Sequence, residues 1–352
     1  MVLAMKPYSI SSDHHCHLWS QFSQIEADGV NSRLRVILNE LERQAETLKA
    51  AGGDTMYLAG DLFHVRGSVS PEVLNPTMDT FRRICGDMEI DVHCIAGNHD
   101  LSTQNSTKLG NAMQALHDIE GFNAIVEPEL VDDEVMMIPW IEQLDELRRV
   151  ALAHANPAHD LIIHAPLNGV IKGLPDHGLE PAELAALGFR RVFVGHYHNH
   201  KEFTGGVYSV GATTHQTWND PDTAAGFLLV YPDRVEHHPT AAPRFVNYDG
   251  EDYGDGSRYK GNYIRMRLKD RTPEDLAAHR AQLTTIGALG IVDHSTKKRE
   301  ATRGVSAPSN VSLDVSVANY VKDHHESGDL SKKRIAVMAL DVLTEARTVG
   351  NE

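Results

Sequence analysis

Five short apolar runs, each ending in Asp, Asn or His, constrain this chain more than any other feature. Tyr8–Ser12 leads into Asp13-His14-His15, Thr55–Ala59 into Gly60-Asp61-Leu62-Phe63-His64, and Asp91–Ala96 into Gly97-Asn98-His99-Asp100. Asp160–His164 closes on its own histidine, and Arg191–Gly195 runs into His196-Tyr197-His198. Short apolar runs bounded by turn residues read as buried strands. Helical spacing separates several of them. Leu34, Ile37, Leu38, Leu41, Ala45 and Leu48 share one face of a helix predicted over Ser32–Ala51, which Gly52-Gly53 stops. Pro71 opens a second helix, extending over Val73–Ile84, and Pro181–Leu187 reads as a third. Gln104–His117 is expected to be partly helical, and Val207–Val210 and Phe227–Tyr231 to be strands. Strands alternating with helices predict an α/β sandwich of mixed sheets. Sites in open α/β sheets form outside the carboxyl ends of the strands.

Neutral imidazoles together with carboxylates suit manganese, iron, zinc and related ions. Each motif alone has a plain reading. Asp-x-His and Gly-Asp after a strand are usually turns, and His196-x-His198 can be two exposed loop histidines. Gly97-Asn98-His99-Asp100 is more specific, because three consecutive metal-competent or acid–base residues are wasteful in an ordinary loop. Five such endings in order point to one shared site. The donors exceed what one ion needs and fit a pair bridged by a carboxylate.

Asp13-x-His15, Gly60-Asp61, Gly97-Asn98-His99-Asp100, His164 and Gly195-His196-x-His198 resemble the five motifs of the calcineurin-like metallophosphoesterase superfamily, over about residues 8–235. Gly60-Asp61-Leu62-Phe63-His64 and Tyr208-Ser209-Val210-Gly211-Ala212 resemble its DNA-repair branch, the SbcD-type nuclease subunits and their phage relatives. Where that family usually has Pro-Gly-Ser, this chain has Val210-Gly211-Ala212. The resemblance implies a four-layer α-β-β-α sandwich of two mixed sheets over 1–240. A small α+β cap domain over 259–310 and a C-terminal helical pair over 311–352 follow. It implies that Asp13, His15 and His198 hold one metal ion, that Asn98, His164 and His196 hold another, and that Asp61 bridges them. His99 is then the group that acts on substrate, Asp100 orients its ring, and His64 stands near the metals. The cofactor implied is two divalent ions, manganese first, with magnesium, iron or zinc also compatible. Such a pair, ~3.5–4 Å apart, neutralises a phosphodiester and activates water. The activity implied is exonuclease and single-strand endonuclease cleavage of DNA, in a homodimer partnered by an SbcC-like ABC-type ATPase.

Composition sets limits on that reading. The net charge of −16 excludes a basic nucleic-acid coat or a polybasic membrane binder. It also predicts weak DNA binding by the chain alone, with delivery by a partner. Of the 21 histidines, His15, His64, His99, His164, His196 and His198 fall in the expected site. Three cysteines without regular spacing are no disulfide framework, which points to a reducing compartment. No signal-like apolar stretch opens the chain, and no run approaches the ~20 apolar residues of a spanning helix. The expectation is a cytoplasmic protein, in host cytoplasm if phage-encoded, with no membrane partner.

Other features have two readings. His14, Cys16 and His17 flank the first motif but take ordinary roles if neighbours alternate away from His15. His237-His238 and His324-His325 read as exposed pairs, and Asp132-Asp133-Glu134 as a solvated turn. His215 and Trp218 lie in a loop that lines a substrate groove or simply packs. Beyond Pro239 the chain becomes linker-like at Pro239–Pro243 and Asp249–Ser257. Then Asn262–Leu268, Pro273–Ile286 and Leu289–Val292 read as strand, helix and strand. Alternation sets Arg265, Arg267 and Lys269 on one face, and Lys297, Lys298, Arg299 and Arg303 form a second basic cluster. Both suit DNA, and both equally suit a solvated face. The helical patterns Asp314–His324 and Ser331–Arg347 either dock on an ATPase coiled coil or pack on their own domain. Two rival functions stand beside the nuclease: a phosphodiesterase or phosphatase for small nucleotides or phosphoesters, and an inactive scaffold.

Overall fold

The computed structural model describes residues 6–103, 110–250, 256–296, 312–324 and 331–349. The chain divides into two compact units, Met1–Thr296 and Lys297–Glu352. Two six-stranded mixed sheets face each other in the first unit. One has the order β12-β11-β1-β2-β3-β4, the other β5-β6-β7-β8-β10-β9. In the first sheet β1 (Tyr8–Ser11), β2 (Thr55–Leu58), β3 (Asp91–Ile95) and β4 (Phe122–Ile125) run parallel, while β11 (Gly226–Val230) and β12 (Val235–Pro239) add an antiparallel edge. In the second sheet β6 (Val135–Ile138), β7 (Asp160–His164), β8 (Arg191–Gly195) and β10 (Val207–Ser209) run parallel. The short edge strands β5 (Glu129–Val131) and β9 (Lys201–Phe203) are antiparallel.

Three apolar layers hold the sandwich. Between the sheets, Ile10, Tyr57, Ile95 and Leu228 meet Val135, Met137, Ile162 and Phe193. Outside the first sheet, α1 (Ser32–Ala50) and α2 (Pro71–Arg82) bury Leu34, Ile37, Leu38, Leu41, Val73 and Phe81. Helix α1 starts where the Asn31 side chain accepts from the N–H groups of Arg33 and Leu34, and it buries the expected apolar face. Outside the second sheet, α3 (Leu144–Ala153) and α4 (Pro181–Ala185) cover Ile163, Val192 and Val194. The four-layer α-β-β-α order is thus present. Expected strands at Asp160–His164 and Arg191–Gly195 are β7 and β8 with the same bounds. Gln104–His117 is partly helical, its described part holding a 3-10 helix, Ala112–Leu116.

The third sheet, β13-β14-β15, is wholly parallel: β13 (Phe245–Tyr248), β14 (Tyr263–Met266) and β15 (Gly290–Asp293), with α5 (Pro273–Ile286). It begins at Phe245, not at residue 259, because a strand follows directly on Pro243. Nor does it separate from the sandwich. Phe22 stacks on Tyr263 (centroids 4.8 Å apart), Trp218 meets Phe245 edge-on (4.7 Å), and the Arg33 guanidinium lies 4.9 Å over Phe245. Trp218 and His215 therefore pack: His215 Nδ1 accepts from Phe245 N–H and the Arg265 guanidinium covers the Trp218 ring. His237 and His238 are half-buried, not exposed: His237 stacks on His200, just before β9, and His238 on Phe227 of β11. Arg265 is half-buried, and Arg267 and Lys269 are exposed. Lys297, Lys298, Arg299, Arg303 and His325 lie outside the described residues.

In the second unit α6 (Leu313–His324) and α7 (Lys332–Val349) pack on each other. Among the described residues, no helix is long and apolar enough to cross a membrane.

Candidate metal centre

The five motifs converge at the carboxyl ends of β1, β2, β3, β7 and β8. The loops leaving β1 and β2 run on side by side: Asp13, His15 and Cys16 donate their N–H groups to the carbonyls of Gly60, Asp61 and Leu62. Four of the expected ligands, Asp13, His15, Asp61 and His196, have positive φ (53°, 48°, 53° and 107°). Left-handed backbone at non-glycine residues costs about 1–3 kcal/mol each and clusters where function fixes geometry. The glycines make room. A Cβ on Gly97 would sit 2.1 Å from Asp61 Oδ1, and one on Gly60, itself at φ 96°, would sit 2.5 Å from His164 Nδ1.

Three groups of possible ligands result among the described residues: His15, His64 and His99 form one, and the other two are the expected sets. Asp13, His15 and His198 each offer an atom, all within 4.8 Å of one another, and Asp61, His164 and His196 do the same. Asp61 Oδ2 lies 3.7 Å from His15 Nε2 and 3.4 Å from His164 Nε2, between the groups. Asn98 Oδ1 is 3.0 Å from His196 Nδ1. The rings are set by outer partners. His164 Nδ1 donates to Ala59 O at 2.7 Å, which turns Nε2 inward. His198 Nδ1 donates to Asp220 Oδ1 at 2.8 Å. Partners of this kind fix tautomer and orientation in metal-binding histidines. No spacing rule in the sequence pointed to Asp220. Trp140, also unmarked by any motif, packs 5.6 Å from His196 and 6.0 Å from His164.

Whether a cation fits can be judged from two atoms. Among the described residues, Asp13 Oδ1 and His164 Nε2 are buried without a hydrogen-bond partner, although His164 Nε2 has Asp61 Oδ2 at an ion-pair distance of 3.4 Å. Such orphans cost about 1–3 kcal/mol each, and both belong to the ligand groups. Nitrogen and oxygen donors suit first-row divalent ions. The Asp61 and Asp13 carboxylates favour positive charge at this spot. Burial opposes charge on His164, but the Asp61 carboxylate beside it prevails and raises the ring to about 9. Asp61 is buried too, yet His164 holds it well below the usual carboxylate range. Burial raises Asp13. Burial lowers His196 to about 3 and His64 to about 4, so both rings are neutral and able to coordinate near pH 7.

The expected pairing of Asp100 with the His99 ring is corrected. Asp100 is fully buried, and its carboxylate accepts from the N–H groups of Phe63 (2.9 Å), Gly97 (2.9 Å) and Leu62 (3.3 Å). Those amides sit in tight turns and need an acceptor, so Asp100 ties the second motif to the third. Burial and the nearby Asp61 charge raise its carboxyl to about 7. His99 is held by other means: its Nδ1 lies 2.7 Å from His64 O, and its N–H donates to Asp61 Oδ1. His64 stands beside the centre, its Nδ1 3.3 Å from His15 Nδ1. His14 faces away, its Nε2 2.9 Å from Ser11 Oγ, and Cys16 is in the core.

Comparison with known proteins accords with this geometry. The family profile described as Calcineurin-like phosphoesterase matches residues 9–200. Over 223 residues the chain is 27% identical to Exonuclease subunit 1 of Enterobacteria phage T4, covering 60% of this chain and 64% of that protein. The chain thus spans just under two thirds of that relative's length. Two solved structures also align. A dimetal phosphatase from Danio rerio has TM-score 0.40 and 12% identity over 66% of this chain and 95% of its own. Phosphopantetheinyl Hydrolase from Mycobacterium tuberculosis has TM-score 0.38 and 13% identity, covering 66% and 98%. The profile covers more than half of the sequence and all five motifs up to His198, so the chain belongs to the calcineurin-like phosphoesterase family and is a metal-dependent hydrolase of phosphoester bonds.

Proposed function

We propose that this chain is a two-metal DNA nuclease, cleaving phosphodiester bonds as an exonuclease and single-strand endonuclease. The observation that carries the reading is the placement of Asp61 between two ligand groups with His99 alongside. Asp13, His15 and His198 form one metal site and Asn98, His164 and His196 the other, with Asp61 common to both. Two divalent ions there supply charge neutralisation and Lewis acidity to the scissile phosphate. Manganese is our first choice for this nitrogen and oxygen set. His99, with Nδ1–H donated to His64 O, turns Nε2 to the substrate, and the doubly protonated ring passes its Nε2 proton to the departing oxygen. Likeness to a protein named as an exonuclease subunit supports DNA as substrate.

We extend the proposal to an SbcC-like ABC-type ATPase partner and a homodimer. Exposed Val315 and Tyr320 on α6 and Val337, Met338 and Val342 on α7 support a docking role for the helical pair. Exposed Arg267 and Lys269 support a DNA-facing cap. The test is cleavage of labelled plasmid, single-stranded and hairpin DNA beside bis(p-nitrophenyl) phosphate, with manganese and with chelator. Manganese-dependent cleavage of DNA is expected. Hydrolysis of the small substrate alone would move the assignment to small phosphoesters.

A further inference from the structure

We propose that Trp19 is a positioning residue for His99, acting through His64. The inference rests on the hydrolase reading above and assigns a role to a residue outside all five motifs.

Among the described residues, no carboxylate holds the His99 ring by a hydrogen bond. Its Nδ1 meets a backbone carbonyl, that of His64, at 2.7 Å, and the two rings lie nearly parallel (13°) with centroids 5.4 Å apart. The place of His99 thus depends on the place of His64. The chain before His64 is fixed, with Phe63 buried and its N–H on Asp100, but beyond it residues 65–68 are exposed and α2 begins only at Pro71. What encloses the His64 ring is a set of other rings. Trp19 lies 4.6 Å away at 44°, His17 4.9 Å away at 47°, and His15 meets it edge-on at 5.1 Å.

Trp19 is the anchored member of that set. Its indole N–H donates to His15 O at 3.2 Å, its carbonyl accepts from Asn31 Nδ2 at 3.1 Å, and the Arg33 guanidinium lies 5.3 Å over its ring. Its ring also packs against the α1 and α2 core. Arg33 is itself buried and donates to Gln216 O at 2.8 Å. A rigid element therefore reaches from the α1 N-terminus, through the indole, to the His64 ring, and from the His64 carbonyl to His99. Misplacing a reacting group by about 1 Å can cost about 100-fold in rate. Loss of the indole frees the His64 loop and with it the acceptor for His99 Nδ1.

The test compares Trp19→Ala and Trp19→Phe with wild type. Hydrolysis of bis(p-nitrophenyl) phosphate is measured with manganese, beside long-range proton–nitrogen correlation spectra of the histidine rings. In Trp19→Ala we expect kcat to fall on the order of 10- to 100-fold, with KM within about threefold of wild type. The His99 ring should lose the single Nδ1–H tautomer. Trp19→Phe, which keeps a ring against His64, should restore most of kcat and that tautomer. An unchanged His99 tautomer in Trp19→Ala overturns the proposal, as does a rise in KM at constant kcat, which would make Trp19 a wall of the substrate site. Wild type inactive on every phosphodiester would instead count against the hydrolase reading, and the ring spectra decide the role of Trp19 independently.

Discussion

His198 Nδ1 lies 2.8 Å from Asp220 Oδ1, and the other Asp220 oxygen accepts from the N–H groups of Thr217 (2.7 Å) and Gln216 (2.8 Å). The turn before β11 thereby sets the angle of a proposed ligand twenty-two positions away in sequence. Asp220→Asn keeps the shape but weakens the hold on the His198 N–H. Metal affinity at the Asp13–His15–His198 group should fall about 10- to 100-fold. Competition with a chelating indicator measures this, and unchanged affinity would show that the pair does not tune a metal ligand.

His99→Gln should keep both metal ions and lose turnover by about 100- to 10,000-fold. Calorimetry beside a cleavage assay separates the two effects. Loss of metal binding in the variant would sink the assigned role and make His99 a ligand.

Gly97→Ala tests the packing behind the bridging carboxylate. The new Cβ would fall 2.1 Å from Asp61 Oδ1 and 2.4 Å from Asp61 N, so the Asp61 backbone as well as its carboxylate must move. Folding should survive, because the clash is confined to the motif loops, while metal affinity falls at least about tenfold. Thermal unfolding with metal titration checks both halves, and full affinity would mean that Asp61 does not bridge.

Asp160, fully buried at the start of β7, holds the sandwich far from the site. Its carboxylate accepts from Arg190 (2.7 and 2.9 Å), Arg191 (2.7 and 3.0 Å) and the Tyr8 hydroxyl. Burial opposes its charge, but the hydrogen bonds from the two arginines prevail and hold it below its usual value. A group depressed on folding contributes stability that is fully present above its unfolded value, about 3.9. That stability is lost as pH falls through the lower folded value. Asp160→Asn should cost about 3–5 kcal/mol at neutral pH and flatten the acid limb of the stability curve. Urea unfolding from pH 3 to 7 measures this, and an unaltered acid limb would contradict it.

Much of the architecture was legible because the signals were local. Strands β7 and β8 are uninterrupted apolar runs ending in a histidine or a glycine, and α5 carries Thr272 and Asp275 as a reciprocal cap with Gly287 beyond its end. Strand β12 carries Glu236, His237 and His238, all half-buried at a sheet edge, and so lacked an apolar signature. Strand β13 hid behind Pro243, and its pairing with β14 is across the chain. In the site, the motif residues could be found because each follows its own strand. Asp220, Trp140 and Trp19 could not, because their roles come from contacts that no sequence interval encodes. Asp100 misled because adjacency to His99 in sequence suggested a pair, whereas the tight turn directs its carboxylate to three amides.

The most direct test of the two-metal account is titration of chelator-stripped protein with manganese, followed by calorimetry and by hydrolysis of bis(p-nitrophenyl) phosphate in the same samples. Two ions per chain should bind, hydrolysis should appear only as the second site fills, and Asp61→Asn should abolish it. Full hydrolysis with one ion bound, or in the presence of chelator, would contradict the account.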